Sequence, residues 1–340
     1  MIDRKKQEIS KLTKCYSNCK KIKQWYNTKK MKRKINMKLI ASSSYLPKRE
    51  IDNKKLAQGL GIDENFIEKR TGIKKRYFVA DETLEEMALK ATQRLINKAK
   101  INLQEIDLII VATTSTNRLM PGISNYVQKK LDISKCICLD ILAGCGGYVN
   151  AVDIAKMYMD SGKVKKAVVI GADSLSQFTD PENLGTAIIF GDGAGATLYE
   201  NSSNEYCSNI EAIPDNKNIL TCTINSKINM DGLAVYKYAV TETVKNIRKL
   251  LEENNLRIED IKYIIPHQSN LKIMMAIAER LGLERKMVFT NIDKIGNTFC
   301  ASIPIALDEM QEKGLLKARD KIILLGYGAG LNTASIYMQI

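Results

Sequence analysis

A cysteine flanked by glycines is the residue whose type and setting point most directly to chemistry in this sequence. Cys145 lies in the stretch 142–148, LAGCGGY, after the apolar segment Ile137–Ile141, which predicts a buried strand. Apolar positions in 149–159 recur at helical spacing and Gly162 ends the pattern, so a strand-to-helix turn carries the cysteine. The positive end of a helix dipole favours thiolate, which predicts a nucleophile with a lowered pKa. The alternative is a small buried hydrophobe, the commonest role of a free cysteine.

Two further polar residues stand where they can reach that cysteine. His267, the only histidine of the sequence, follows the apolar segment 263–265, which predicts a strand. Ligands gather at the carboxyl ends of parallel strands, and Asn297 occupies the position that matches Cys145 in an internal repeat. We therefore expect Cys145, His267 and Asn297 to converge on one site. Taken alone, a histidine is more often a hydrogen-bonded structural residue, and that alternative stays open here.

The internal repeat describes the elements that must position these residues. Three pairs of segments match, namely 101–110 with 256–265, 144–162 with 296–314, and 167–171 with 322–326. Their nearly constant spacing predicts two related halves, 37–208 with the cysteine and 209–340 with the histidine and asparagine. Within each half, apolar strands alternate with helical patterns, which predicts parallel sheets covered by helices. The glycine-rich run 190–195 lacks the phosphate-loop pattern and predicts close backbone packing.

The composition argues against several classes of protein. The 340 residues are 45% apolar, and no apolar run approaches the ~20 residues of a membrane span. Eight cysteines without a secretory signal predict reduced thiols in the cytoplasm, and a single histidine with no zinc-like cysteine spacing predicts no metal site. These features favour a cytoplasmic enzyme or binding protein.

The positive charge is concentrated at the N-terminus. Residues 1–36 carry thirteen Lys or Arg against two acidic residues, so the rest contributes only three of the fourteen net positive charges. We interpret 1–36 as a disordered basic tail, with Met37 as a candidate translation start. A transit peptide and a polybasic membrane or RNA arm are the alternatives. The nearly neutral body predicts no nucleic-acid partner.

Several short stretches share the pattern of one enzyme family. They are RTGI at 70–73, VATTS at 111–115, AGC at 143–145, FGDGAGA at 190–196, PHQ at 266–268 and GNT at 296–298. In these stretches the chain from residue 37 onward resembles β-ketoacyl-[acyl-carrier-protein] synthase III, of the thiolase-like superfamily. The resemblance implies an α/β thiolase-like fold, in which two pseudo-twofold-related halves form a layered α-β-α-β-α sandwich. Chalcone-synthase-like enzymes share the Cys-His-Asn set and stay open as relatives.

The resemblance also implies a reaction, a decarboxylative Claisen condensation that initiates fatty acid synthesis without a cofactor. Cys145 would take an acyl group from a coenzyme A or carrier-protein thioester as a covalent intermediate. His267 and Asn297 would donate hydrogen bonds to the thioester oxygen of malonyl-carrier protein. The backbone amides of Cys145 and Ala329 would form the oxyanion hole, although the family has glycine where Ala329 stands.

The same resemblance assigns binding residues, several of which depart from the family pattern. Phe66 and Gln177 stand where a tryptophan and an arginine contact the adenine of coenzyme A, and Arg70 would meet phosphates. Met120 aligns with a residue that closes the acyl pocket of the other subunit in a homodimer. The segment that would contact the acyl carrier protein is Gln268, Ser269, Asn270, Leu271 and Lys272, the last in place of an arginine.

Two other functions stay open from the sequence. The first is a ketosynthase III-like acyltransferase of a specialised, polyketide-type pathway. The second is a thiolase-fold protein with a non-catalytic binding role, which selective labelling of Cys145 by iodoacetamide would exclude.

Overall fold

The computed structural model describes residues 36–224 and 226–340. Its strands are β1 Asn36–Tyr45, β2 Arg49–Asp52, β3 Lys75–Phe78, β4 Leu108–Ala112, β5 Ile137–Ile141, β6 Lys166–Asp173, β7 Gly193–Ser202, β8 Tyr206–Ala212, β9 Leu220–Thr221, β10 Asn229–Met230, β11 Tyr263–Pro266, β12 Lys321–Gly328 and β13 Asn332–Gln339. Its α-helices are α1 Asn53–Leu60, α2 Glu64–Thr71, α3 Leu84–Ala99, α4 Ile123–Lys130, α5 Gly147–Asp160, α6 Leu184–Ala187, α7 Gly232–Glu253, α8 Leu271–Arg280, α9 Ile292–Ile295 and α10 Ser302–Glu312.

Two mixed sheets repeat the same topology, and this confirms the two related halves. The first sheet has the order β1-β7-β6-β4-β5 and the second the order β8-β13-β12-β11. In both, the strands toward one edge are parallel (β4 with β5 and β6, and β11 with β12) and the remaining pairs are antiparallel. The counterpart of β5 in the second half is reduced to one parallel bridge between Ile264 and Val288.

Apolar side chains join the sheets and helices into five layers. Helices α3 and α4 cover the outer face of the first sheet, and α7 and α8 cover the outer face of the second. Between the sheets, α5 and α10 contribute buried residues such as Val152 and Leu307 to a core shared by both halves. Each fully buried aliphatic side chain contributes ~1.5–3 kcal/mol to stability. These layers confirm the α-β-α-β-α sandwich.

Helix boundaries follow local signals in the sequence. Helix α3 begins with a capping box, in which the Thr83 side chain accepts from the backbone of Glu86 and the Glu86 side chain accepts from the backbone of Thr83. After α5 and α10 the chain turns at Gly162 and Gly314, whose φ angles are +75° and +62°. Both glycines occupy the left-handed region, where residues with a side chain are strained.

Three features differ from the sequence-based expectations. Strand β5 was expected to be buried, but it lies at the edge of its sheet with half-exposed side chains. The boundary expected between 208 and 209 falls inside β8, because the chain passes from the first sheet to the second at 203–205. Asn36, the first residue of β1, pairs with Ser202 of β7 and so belongs to the folded body. The rest of the predicted basic tail, 1–35, lies outside the described residues.

Within the described part of the chain, no helix is both long and apolar enough to cross a membrane.

Candidate active site

The turn that carries Cys145 is built from close backbone contacts. A 3-10 turn, Gly144–Gly146, follows β5 and leads into α5. Gly144 has φ +55°, and a Cβ there would lie 2.7 Å from the carbonyl oxygen of Ala329. A Cβ on Gly328 would lie 2.9 Å from the sulfur of Cys145. Both positions therefore exclude side chains, and they hold the end of β12 against the cysteine.

The Cys145 thiol is not the stabilised thiolate that the helix-terminus argument predicted. Burial, and secondly the negative charge of Asp173, raise the pKa of Cys145 well above its ordinary value. The backbone N–H groups of Ala329 and Cys145 hydrogen-bond the sulfur and act in the opposite direction, but burial prevails because only 5% of the residue is exposed. These two amides are the pair expected to form the oxyanion hole.

His267 is held as a neutral imidazole directly after β11. It is 1% exposed, and burial lowers its pKa to about 3. Its Nδ1 lies 2.8 Å from the Ser302 hydroxyl oxygen, which also accepts a 3.3 Å hydrogen bond from the backbone N–H of Gln268. We assign the hydroxyl proton of Ser302 to the bond with Nδ1, because the other ring nitrogen then keeps a proton that it can donate in the cavity. That assignment leaves the imidazole proton on Nε2.

The Asn297 amide is oriented by its own loop. Its backbone N–H donates to the carbonyl of Ile189 at 3.0 Å, and its carbonyl accepts from Gly191 at 2.9 Å. The Oδ1 atom accepts from the backbone N–H of Phe299 at 3.0 Å. The Nδ2 group makes one long contact, 3.5 Å, with the carbonyl of Ser269. The amide therefore keeps its donor available to a ligand.

One cavity brings together the three residues expected to be catalytic. Cys145, His267 and Asn297 all line a cavity of about 440 Å³, within the ~300–1,000 Å³ range of small-molecule sites. Phe66 and Arg70 line the same cavity. The cavity thus contains a thiol, a neutral imidazole and a carboxamide, and its wall also includes the aromatic ring of Phe66 and the basic side chain of Arg70.

Not every expected binding residue reaches that cavity. Gln177 is exposed and is absent from the cavity wall, and its backbone carbonyl accepts from Lys227 at 2.9 Å. Met120 is 82% exposed near the β5 edge of the first sheet. The Gln177 side chain therefore stands apart from the cavity that holds Cys145. The role expected for Met120 concerns the acyl pocket of another subunit, and it stays a prediction with which an exposed side chain is compatible.

The segment expected to contact a carrier protein divides between surface and interior. Gln268 is fully buried, and its side-chain amide donates to the carbonyls of Pro266 and Phe289. Its side-chain oxygen accepts from the backbone of Asn291, so a direct contact with a carrier does not fit this residue. The other four residues have different environments. Ser269 and Asn270 line the cavity, Leu271 packs against Gly72, and Lys272 is exposed to solvent.

A buried carboxylate that the sequence patterns do not predict links the VATTS stretch to the loop after Asn297. Asp173, at the end of β6, accepts five hydrogen bonds from Thr113, Thr114, Ser115 and the backbone of Cys300. Burial raises its pKa, and these hydrogen bonds oppose the shift. The stretch VATTS was noted only as a family pattern, and its hydroxyl groups are the signal that could have pointed to an acidic partner.

Among the described residues, no group of three or more His, Cys, Asp or Glu side chains is placed to hold a metal ion.

Comparison with known proteins identifies the family. The family model for 3-oxoacyl-[acyl-carrier-protein (ACP)] synthase III matches residues 139–213, and the model for its C-terminal part matches 251–340. The β-ketoacyl-[acyl-carrier-protein] synthase III of Clostridium acetobutylicum is 36% identical over 322 residues, covering 89% of this chain and 98% of the relative.

Solved structures agree with this assignment. The 3-oxoacyl-[acyl-carrier-protein] synthase III of Aquifex aeolicus has a TM-score of 0.87 and 35% identity, covering 90% of this chain and 100% of the neighbour. The priming β-ketosynthase of the R1128 polyketide biosynthetic pathway has a TM-score of 0.85 and 28% identity, covering 89% and 96%. The chain belongs to the β-ketoacyl-[acyl-carrier-protein] synthase III family of thiolase-like acyltransferases, whose condensation serves fatty acid synthesis.

Proposed function

We propose that this acyltransferase condenses an acyl thioester with malonyl-carrier protein through an acyl-Cys145 intermediate. The observation that carries the proposal is the convergence of Cys145, His267 and Asn297 on one cavity of about 440 Å³. The thiol supplies a nucleophile, and the imidazole and carboxamide supply hydrogen-bond donors for developing negative charge. No cofactor takes part in the proposed reaction.

In the first stage Cys145 takes the acyl group. Because burial raises its pKa, the thiol is neutral before the donor binds. Its sulfur attacks the thioester carbonyl, a new carbon–sulfur bond forms and the donor's carbon–sulfur bond breaks. The thiol proton leaves with the departing pantetheine thiolate, which becomes a thiol. The amides of Cys145 and Ala329 stabilise the tetrahedral oxyanion, each worth ~2.7–4 kcal/mol of barrier in comparable sites.

In the second stage His267 and Asn297 act on the malonyl thioester. The His267 Nε2–H and the Asn297 Nδ2–H donate to the thioester oxygen, where charge develops as carbon dioxide leaves. The resulting enolate carbon attacks the carbonyl of acyl-Cys145. The bond to sulfur then breaks with its electron pair left on sulfur, and the Cys145 thiolate takes a proton from water to regenerate the thiol. The condensed product remains on the carrier. Both donors suit this role because neighbouring groups occupy His267 Nδ1 and Asn297 Oδ1.

The mouth of the cavity supports delivery by a carrier protein. Phe66 is 43% exposed there and offers a stacking face, while Arg70 and the nearby Lys272 are exposed cations. Cations at this mouth favour an acidic carrier surface and phosphate groups. Gln177 supplies no charge and stands apart from the cavity. We therefore propose the acyl carrier protein as the principal partner and coenzyme A esters as weaker donors.

A homodimer is proposed from the free edge of the first sheet. Strand β5 pairs only with β4 among the described strands. Three large apolar residues beside this edge are highly exposed, Leu119 by 86%, Met120 by 82% and Leu142 by 71%. An open strand edge next to exposed apolar residues favours pairing with a second copy. We place the working dimer in the cytoplasm, where the thiols stay reduced.

Intact-protein mass spectrometry tests the central proposal. Incubation with acyl-carrier protein should add one acyl group to the wild-type chain and none to Cys145→Ala, which keeps the backbone amide. Asn297→Ala should still acquire the acyl group but decarboxylate malonyl-carrier protein poorly. An adduct on another cysteine with condensation retained would falsify the assignment of Cys145, and loss of acylation with normal decarboxylation would reverse the role given to Asn297.

A second function, priming of a polyketide-type pathway, has one observation in its favour. The R1128 priming ketosynthase and the β-ketoacyl synthase III of Thermus thermophilus have the same TM-score with this chain, 0.85. Comparing acylation by a panel of starter groups on a fatty acid carrier and on a polyketide carrier separates the two functions.

A further inference from the structure

A second, larger cavity lies on the other side of Cys145. It has a volume of about 1120 Å³ and is lined by Gly144, which precedes Cys145, and by Ala329, which supplies one of the two oxyanion amides. Its walls are largely apolar, with the side chains of Leu119, Ile141, Leu142, Leu175, Phe178 and Ile228. Of the residues that the structure describes, only Phe299 and Leu220 line both cavities. These two residues therefore form the partition between them.

The proposed reaction needs space on that side. During condensation the malonyl arm occupies the cavity that contains His267 and Asn297, so the acyl group on Cys145 must point elsewhere. Cys145 belongs to a buried apolar cluster, in which Phe190 and Phe299 line the same cavity as the cysteine and Leu175 and Ile228 line the larger one. A short acyl group fits against the two aromatic rings, whereas a long one has to pass the partition to reach the larger cavity.

Phe299 is fixed at the partition by its backbone and by its ring. Its φ of +49° lies in the left-handed region, which is rare for an aromatic residue and persists only where the surroundings enforce it. The backbone N–H is bound to Asn297, and the ring lies 5.0 Å from the ring of Phe190 and 6.3 Å from that of His267. Only 6% of the residue is exposed.

We propose that Phe299 determines the length of the acyl group that Cys145 accepts. The ring closes the larger cavity to the acyl chain and restricts the enzyme to short starter groups. Removing the ring joins the two cavities and admits longer chains, whose apolar tails then lie among Leu175, Phe178 and Ile228. This inference rests on the proposed acyl-Cys145 intermediate.

The test compares acylation of Cys145 by acetyl-pantetheine and octanoyl-pantetheine, followed by intact-protein mass spectrometry. These probes lack both nucleotide and carrier, so they report the acyl group alone. Phe299→Gly removes the ring and suits the positive φ, and Phe299→Leu is a milder variant that retains an apolar side chain. We expect the wild-type chain to prefer acetyl, and Phe299→Gly to raise the octanoyl-to-acetyl rate ratio roughly tenfold or more. Phe299→Leu should raise it less.

The matched control is Phe78→Leu, which makes the same kind of change at a half-buried aromatic residue of β3 that lines neither cavity. It should leave the rate ratio close to that of the wild-type chain. The proposal is overturned if the wild-type chain accepts octanoyl as fast as acetyl, or if neither Phe299 variant raises the ratio. Loss of acylation by both probes in both folded variants also counts against it. Absence of any Cys145 adduct in the wild-type chain refutes the proposed function instead.

Discussion

The hydroxyl oxygen of Ser302 lies 2.8 Å from Nδ1 of His267, and this contact holds the ring of the only histidine, with the hydroxyl proton assigned to Nδ1. Ser302 is the first residue of α10, and His267 follows β11, so the contact joins a central helix to a strand end. With Nδ1 occupied as an acceptor, Nε2–H remains a donor for the substrate oxygen. Ser302 is therefore a positioning residue that acts through His267.

Replacing Ser302 by alanine should impair decarboxylation more than acyl transfer. The change leaves a buried acceptor without its donor, an effect of about 1–2 kcal/mol, or roughly 5- to 30-fold in rate. We expect kcat for malonyl decarboxylation to fall by that factor with little change in KM. Ser302→Thr keeps the hydroxyl and should recover most of the rate. Equal losses in acylation and decarboxylation would show a structural role only.

The raised pKa of Cys145 predicts slow alkylation at neutral pH. Thiolate is the reactive form, so carboxamidomethylation of Cys145 by iodoacetamide should keep rising with pH through the alkaline range. Peptide mapping follows Cys145 and the exposed Cys222 in the same digest, and Cys222 serves as the internal reference. A plateau of the Cys145 rate near neutrality would mean that the helix terminus outweighs burial.

His267 should make the free energy of unfolding depend on pH. Its pKa is about 3 in the folded protein and ~6.5 when unfolded, so below ~6.5 only the unfolded chain takes up the proton. Stability is therefore complete above the unfolded pKa and is lost as pH falls toward the folded pKa, by up to ~1.4 kcal/mol per pH unit.

The variant His267→Gln isolates this contribution. Between about pH 7 and pH 5 the wild-type chain should lose about 2 kcal/mol more than the variant in denaturant unfolding. Burial raises the pKa of Asp192 to about 6, which acts in the opposite sense, but that group is present in both proteins and cancels. Parallel pH profiles would show that the imidazole is charged or exposed in the folded state.

The repeat in the sequence predicts two related halves, whereas the order of the five layers follows from the family resemblance. The three residues expected to converge do line one cavity. The spacing of the sequence repeat reappears in the strands that correspond between the two halves. Strands β4 and β11 start 155 residues apart, and so do β6 and β12. Cys145 and Asn297 could be placed together because each precedes the equivalent central helix. Such periodic signals survive in a single sequence because every copy must bury the same faces.

Other properties depend on contacts that no local pattern records. The apolar residues of β5 look the same whether a helix layer or a second chain covers them, so its position at the edge was not visible. The helix-dipole argument for Cys145 ignored desolvation, which here is the larger effect. Gln268 lies in a polar run, yet its amide points inward to backbone groups. The positive φ of Phe299 could not be predicted, because that conformation is usually signalled by a glycine or an asparagine and not by an aromatic residue.

Reversing the charge of Lys272 should lower kcat/KM for reactions that use a carrier protein and leave reactions with carrier-free donors unchanged. Lys272 is exposed at the first turn of α8, beside the cavity residues Ser269 and Asn270. For Lys272→Glu we expect kcat/KM with malonyl-carrier protein to fall about tenfold at ~0.1 M salt, where the Debye length is ~10 Å, and the deficit to shrink at high salt. The loss should appear in KM, because the residue touches no reacting atom.

The control is Lys163→Glu, an equal charge change at an exposed lysine beyond the far end of α5 from Cys145. It should leave kcat/KM with the carrier unchanged, and acylation by acetyl-pantetheine should be unaffected in both variants. Equal losses in the two variants would mean that total charge, rather than a docking contact, governs the encounter. A Lys272→Glu defect that persists with acetyl-pantetheine would place the damage inside the cavity and contradict a role in carrier docking.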